Sequence, residues 1–360
     1  MSRLQLIQQH LANARSISGL RYAAGNLPQV PLISNPNPRC KILIFPSSIP
    51  ALPTFCLSPI PLISYRLKVK QWRPLHNSKQ RMNSGFDIPT LGYGVYKVPA
   101  EICGEVVTQA LKAGYRHVDC AAMYRNEKPA GKAILDSGIP REEVFYTSKV
   151  YQPALTYAGV KAQVELSLKE CGLGYIDLML LHAPYGGREG RKAAWKALVE
   201  SVEEGKVRSI GVSNYGVEHL DEMEEYMKEL EEEGGKGKGG VISVGQWEIH
   251  PWIPRSDIVE WCKKRDIIVE AYSPLARGQR LDDKDLQPLT QKHGKSAAQI
   301  LVRWSLQHGF VPLPKSETSN RIIQNAAVYD FELTEEDLNS LTFESYSPSG
   351  WDPTVATLDR

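Results

Sequence analysis

The chain has 360 residues, 42% of them hydrophobic, and a formal net charge of +2, enough to bury one large core or two ordinary ones. The net figure hides an asymmetry: residues 1–81 carry 11 Lys/Arg and no acid, so residues 82–360 hold the other 32 basic groups and all 41 acidic ones, a net of −9. A body that acidic lacks the electrostatic footprint of a nucleic-acid binder, and six scattered cysteines without a C-x-x-C pair support no zinc or thioredoxin-like site.

Residues 1–24 carry Arg3, Arg15 and Arg21 with Leu4, Ile7, Leu11 and Ala14 at helical spacing, the pattern of a mitochondrial presequence. Residues 42–65 are uncharged and apolar, but Pro46, Pro50, Pro53, Pro59 and Pro61 each remove a backbone donor, so no membrane span is expected. Residues 1–80 are therefore expected to be an extension outside the folded body. It is either a targeting or disordered segment, or translated sequence outside the working protein. The expected location is the cytoplasm, or the mitochondrion if residues 1–24 act as a presequence.

From Arg81 the character changes. Asn83-Ser84-Gly85 reads as a hairpin turn, followed by a buried strand over 91–94. After it helices and short apolar runs alternate. Helix 100–113 precedes strand 117–119, helix 127–136 precedes strand 145–150, and helix 157–170 precedes strand 176–181. Helix 191–203 precedes strand 209–213, a long helix 217–233 precedes strand 244–246, and helix 255–265 precedes strand 267–271. Helix 296–308 precedes strand 311–314, and a last helix starts near Ser319.

Eight strands, each followed by a helix, imply parallel strands with crossover helices, and about 250 residues is the size of a closed (β/α)₈ barrel, an α/β fold. A doubly wound open sheet is the alternative, but no G-x-G-x-x-G follows the first strand. The expected division is an extension at 1–80, a barrel at 81–343 and a tail at 344–360.

In such a barrel functional residues sit at the C-terminal ends of strands and in the loops after them. That rule picks Asp119 and Tyr124 after the second strand, Lys149 at the end of the third and His182 after the fourth. It also picks Ser213 and Asn214 after the fifth, Gln246 ending the sixth, Tyr272 and Ser273 after the seventh, and Lys315 and Ser316 after the eighth. A carboxylate, a lysine, a tyrosine and a histidine at one mouth make a proton donor. Lys149 as a cation near Tyr124 would lower the phenol's pKa, Asp119 would hold the lysine, and His182 would donate a hydrogen bond to a carbonyl oxygen. Singly, such an Asp–Lys pair is more often structural and such a histidine or tyrosine more often packing. What weighs against that is that all four fall on strand ends assigned independently.

These residues lie in strings that resemble the aldo-keto reductase family from about residue 81 to 341: Gly85-Phe-Asp-Ile-Pro-Thr-Leu-Gly92-Tyr-Gly94, Gly114-Tyr-Arg-His-Val-Asp119, Tyr124 with Asn126-Glu127, and Ser148-Lys149-Val150. Further on come Asp177-Leu-Met-Leu-Leu-His182, Gly205-Lys-Val-Arg-Ser-Ile-Gly211-Val-Ser-Asn214, Ala271-Tyr-Ser-Pro-Leu275, and Pro314-Lys-Ser316 with Arg321 and Asn325. The resemblance implies NADPH/NADP⁺ as cofactor without a Rossmann fold, a small-molecule carbonyl substrate, and a catalytic tetrad of Asp119, Tyr124, Lys149 and His182. It also implies Ser213, Asn214 and Gln246 on the nicotinamide amide, Tyr272 stacking on the ring, and Ser273 and Leu275 as further cofactor contacts. Lys315, Ser316 and Arg321 are implied at the adenosine 2′-phosphate, with Asn325 near the adenine; two cations and a hydroxyl at a helix start suit a phosphomonoester.

The chain departs from the family pattern at Tyr96, Tyr151 and Ala183, where tryptophan is usual, which implies a roomier substrate pocket. Gly245 and Trp247 also differ around Gln246. Residues 229–240 are expected to prolong a helix and end in a flexible loop away from the mouth. The tail from Glu344 lacks helical periodicity. In the family such tails fold over the mouth, which implies Trp351 as a lid residue; a disordered terminus is the alternative. A nicotinamide-sensing regulatory subunit with little turnover is the second functional reading, and a barrel enzyme without redox chemistry the third.

Overall fold

A computed structural model describes residues 78–360. The presequence-like residues 1–24, the apolar stretch 42–65 and all but the last three residues of the expected extension lie outside the described residues. Among the described residues, no helix is long and apolar enough to cross a membrane.

The described chain opens with a hairpin. β1 (Lys79–Arg81) and β2 (Asp87–Pro89) pair antiparallel, and the turn uses Gly85 at φ +89°, a conformation glycine adopts without steric cost. Met82 and Ile88 are buried against Phe145, Leu178, Leu180 and Val244. Phe145 and Val244 are the first residues of their strands, so the hairpin plugs the N-terminal end of the barrel.

Eight parallel strands follow, hydrogen-bonded in chain order: β3 (Tyr93–Gly94), β4 (His117–Asp119), β5 (Phe145–Val150), β6 (Ile176–Leu181), β7 (Val207–Ser213), β8 (Val244–Glu248), β9 (Ile268–Tyr272) and β10 (Val311–Leu313). Gly92 N donates to Pro312 O at 3.0 Å and Gly94 N to Pro314 O at 3.2 Å, which joins first strand to last. The architecture is a (β/α)₈ barrel. Every position of β5 and β6 is buried, inner residues packing in the barrel and outer ones under helices, so Lys149 and Asp177 are carried into the interior with their apolar neighbours.

The crossover helices are α1 (Ala100–Lys112), α2 (Glu127–Asp136), α3 (Tyr157–Cys171), α4 (Gly187–Glu203), α5 (Val217–Gly234) and α6 (Ser256–Lys263). The chain then forms α7 (Gln287–His293), α8 (Ala297–Gln307), α9 (Ser319–Ala326) and α10 (Glu335–Ser340). Helix starts have local causes: Thr156 accepts from Gly159 N at α3, and Ser296 and Gln299 form a reciprocal box at α8. Neither α7 nor α10 is expected from the sequence. α7 buries only Leu289 and α10 only Asp337, so neither carries an apolar stripe that periodicity could reveal.

The segment 229–240 also differs from expectation. It is fastened rather than free: Glu231 accepts from Gly237 N at 2.7 Å and Gly239 N at 2.9 Å, and Trp195 Nε1 donates to Gly239 O at 2.8 Å. Its glycines suit a tight fold under a helix end rather than a loose linker.

Packing of β7 against β8 depends on Gly211, where an added Cβ would stand 1.9 Å from Val244 O and 3.0 Å from Leu180 Cδ2. Gly211→Ala is expected to destabilise the fold by about 3 kcal/mol, seen as a lowered urea midpoint. An unchanged midpoint would mean that the two strands can part there at little cost.

Candidate active site

The C-terminal ends of the barrel strands surround a cleft of about 910 Å³. β4 ends at Asp119, Lys149 is the penultimate residue of β5, and His182 follows β6 directly. Tyr124 closes a single 3₁₀ turn, Ala122–Tyr124, and is half-buried at the cleft.

Lys149 is fully buried. Its Nζ donates to both Asp119 carboxylate oxygens, at 2.7 and 2.8 Å, and to Cys120 O at 2.9 Å, and lies 3.4 Å from Tyr124 Oη. The Tyr124 ring meets the His182 ring edge-on, centroids 5.9 Å apart, and leans on Tyr96 at 5.0 Å. Burial, aided by the Lys149 cation, pushes the His182 pKa well below its usual value. The ring is therefore neutral at physiological pH, with one N–H to donate.

The expected lowering of the Tyr124 pKa is overturned. Burial first, and then the Asp119 charge, push the phenol well above its ordinary value. The lysine 3.4 Å away does not reverse this, because burial of the phenol is the largest effect.

The cofactor candidates gather along the same cleft: Ser213, Asn214, Gln246, Tyr272, Ser273 and Leu275 near the tetrad, and Lys315, Ser316, Arg321 and Asn325 together with them as lining residues. Asn214 adopts φ +63° and is held on three sides. Its Nδ2 donates to His182 O and Ser213 Oγ, each at 3.0 Å, and its Oδ1 accepts from Tyr272 Oη at 2.7 Å. Gln246 Nε2 donates to Asp119 Oδ1 at 2.9 Å and Glu270 Oε2 at 2.7 Å, so the amide oxygen is the atom left for a ligand. Lys315 is paired with Glu317 at 2.5 Å, whereas Arg321 has no ion-pair partner among the described residues.

Two pocket expectations fail. Ala183 is fully buried and does not line the cleft, because His182 takes the inward position and the next residue turns into the core. Tyr151 stands on a separate shallow recess beside Arg125, Lys128 and Glu170. The chain leaves β5 there through the turn Gln152–Ala154, which carries residue 151 to the outer rim. Tyr96 and Trp351 do line the cleft.

The tail is ordered. Arg255 holds Asp352 at 2.9 Å and Thr354 Oγ1 at 2.8 Å, Arg191 Nη2 donates to Leu358 O at 2.6 Å, and Trp351 Nε1 donates to Tyr185 Oη at 3.1 Å. Two cationic lining residues, Lys97 and Arg277, escaped the sequence reading. Both follow strand ends, Lys97 directly after Tyr96 and Arg277 two residues past Leu275, so the barrel rule reached them but the recognisable strings did not.

Residues 90–343 match the model of the Aldo/keto reductase family. An uncharacterised oxidoreductase of Saccharomyces cerevisiae is 40% identical over 284 residues, covering 77% of this chain and 98% of the relative. A glyoxal reductase of Bacillus subtilis is 41% identical over 262 residues, covering 72% and 90%. Among solved structures, a Bombyx mori aldo-keto reductase in complex with NADP superposes with a TM-score of 0.65 at 30% identity, covering 73% of this chain and 91% of that one. With the barrel and the cleft at its mouth, these matches establish that the chain belongs to the aldo/keto reductase family of oxidoreductases.

Proposed function

We propose that the chain reduces aldehydes or ketones to alcohols with NADPH, using Tyr124 as general acid. One observation carries this reading: a buried Lys149–Asp119 pair set 3.4 Å behind a tyrosine hydroxyl that faces the cleft. NADPH, when bound, supplies the hydride. His182, neutral and beside Tyr124, donates a hydrogen bond to the carbonyl oxygen and orients it. Tyr124 delivers its proton to that oxygen as negative charge develops there, and Lys149 stabilises the phenolate left behind. The phenol's raised pKa keeps that proton in place at neutral pH, ready for the reductive direction.

The residues of the cleft suit the cofactor. Gln246 has both amide hydrogens committed to carboxyl groups and so offers an acceptor suited to a carboxamide N–H. Tyr272, tied through its hydroxyl to Asn214, offers a ring for stacking. Arg321 gives a bidentate grip on a 2′-phosphate, and Lys315 joins once it exchanges Glu317 for phosphate oxygens.

Steady-state oxidation of NADPH against a panel of reactive carbonyls tests the reading. The glyoxal reductase of Bacillus subtilis argues for including dicarbonyls beside aromatic aldehydes. No oxidation across the panel would overturn it. The 2′-phosphate assignment has its own test: a Lys315→Ala, Arg321→Ala double variant should weaken NADPH binding about 100-fold, the loss of two charge-assisted contacts, and leave NADH binding as it was. Unchanged NADPH affinity would refute it.

A further inference from the structure

Beneath the cleft lies a second carboxyl that this reaction does not use. Glu270, on β9, has no exposed surface. Its Oε2 accepts from Gln246 Nε2 at 2.7 Å, and the same nitrogen donates to Asp119 Oδ1 at 2.9 Å. Its Oε1 has no hydrogen-bond partner and stands 3.5 Å from His117 Nε2. The charged and titratable groups that face Glu270 are Asp119 and His117 from β4 and Lys149 from β5.

One lysine thus serves two carboxyls, and Asp119 already holds it bidentately. His117 cannot act as the missing cation: burial and the Lys149 charge bring its pKa down to about 3. A second buried anion without a counter-charge is costly. Burial and the Asp119 charge accordingly push the Glu270 carboxyl up to about 8.

We propose that Glu270 is a positioning residue: with Asp119 it locks the Gln246 amide so that its oxygen faces the cleft, and by staying neutral it leaves Tyr124's phenolate only one buried anion to oppose. The inference rests on the roles proposed above for Gln246 and Tyr124. Its sign in pH follows. Below about pH 8 Glu270 is neutral and reduction runs unhindered. Above it a second negative charge sits beside Asp119, opposes formation of the phenolate, and favours the positively charged oxidised nicotinamide over the reduced one.

Two substitutions in the full chain separate the parts. In Glu270→Gln the new amide oxygen still accepts from Gln246, so NADPH affinity should stay within about twofold, while the fall of kcat/KM near pH 8, about fivefold in the wild type, should flatten. In Glu270→Leu the acceptor is lost and NADPH affinity should drop about tenfold at every pH. The same alkaline fall in Glu270→Gln as in the wild type, or wild-type NADPH affinity in a folded Glu270→Leu, would overturn the proposal.

Thermal unfolding gives a readout independent of turnover. The folded carboxyl keeps its proton up to about pH 8 while the unfolded one releases it from about pH 4.5. Stability is therefore lost as pH rises between those values, and the wild type's Tm should fall further than that of Glu270→Gln between about pH 6 and about pH 9. Equal falls would overturn the buried-acid assignment. A wild-type chain that neither binds NADPH nor reduces carbonyls would instead sink the reductase reading, leaving the Tm comparison to decide on Glu270.

Discussion

Tyr124→Phe is expected to lower kcat for carbonyl reduction roughly a thousandfold or more while leaving NADPH affinity unchanged within about twofold. The substitution removes one oxygen and keeps the ring, so the contacts with Tyr96 and His182, centroids 5.0 and 5.9 Å away, survive. What disappears is the hydroxyl that joins the cleft to the buried ammonium 3.4 Å away. Residual turnover would come from His182 polarising the carbonyl with water as proton source. In the wild type the phenol is held neutral across the physiological range by its raised pKa, so the acid is in place for reduction. Alcohol oxidation needs the phenolate and should climb as pH rises. Stopped-flow measurement of the hydride step separates chemistry from cofactor release, and substantial turnover in Tyr124→Phe would remove Tyr124 from the mechanism.

Lys149→Met is expected to fail twice. Activity falls because no cation stabilises the phenolate, and stability falls by about 4 kcal/mol because Asp119 is left as an uncompensated buried charge. Among the described residues, Gln246 alone would still donate to it, at 2.9 Å. Adding Asp119→Asn should restore most of the stability, since a neutral amide replaces the stranded anion, but none of the activity. Urea midpoints of the two variants, set beside their kcat values, decide the matter. A single variant as stable as the wild type would show that the pair contributes nothing to the fold.

Much of this site was legible because a (β/α)₈ barrel converts sequence rhythm into position. Asp119, Lys149 and His182 could be placed at one mouth from strand ends alone, and the structure puts them there. Where the chain leaves a strand, that rhythm stops informing. Tyr151 and Ala183 follow their strands by one and two residues, and whether such a residue faces the cleft depends on the exit turn, which no alternation encodes. The sign of the Tyr124 shift was hidden for another reason. It depends first on how deeply the phenol is buried and then on the Asp119 charge beside it, neither of which spacing along the chain reports. Glu270 was invisible as well. A carboxylate in the run Ile268–Tyr272 reads as an interruption of a core strand, and only the neighbouring strands show that it meets the amide of Gln246.

The seam between β3 and β10 bears on how the protein comes to work at all. Gly92 and Gly94 bond to Pro312 and Pro314, residues from opposite ends of the barrel's sequence, and Gly94, Leu313 and Lys315 all border the cleft. Contacts so distant along the chain are the last to reward the entropy of bringing them together. A half-assembled chain therefore has no pocket to offer. Recovery of ligand binding during refolding is a clock for ring closure, and a ligand seated across that seam would act as its clasp and slow unfolding.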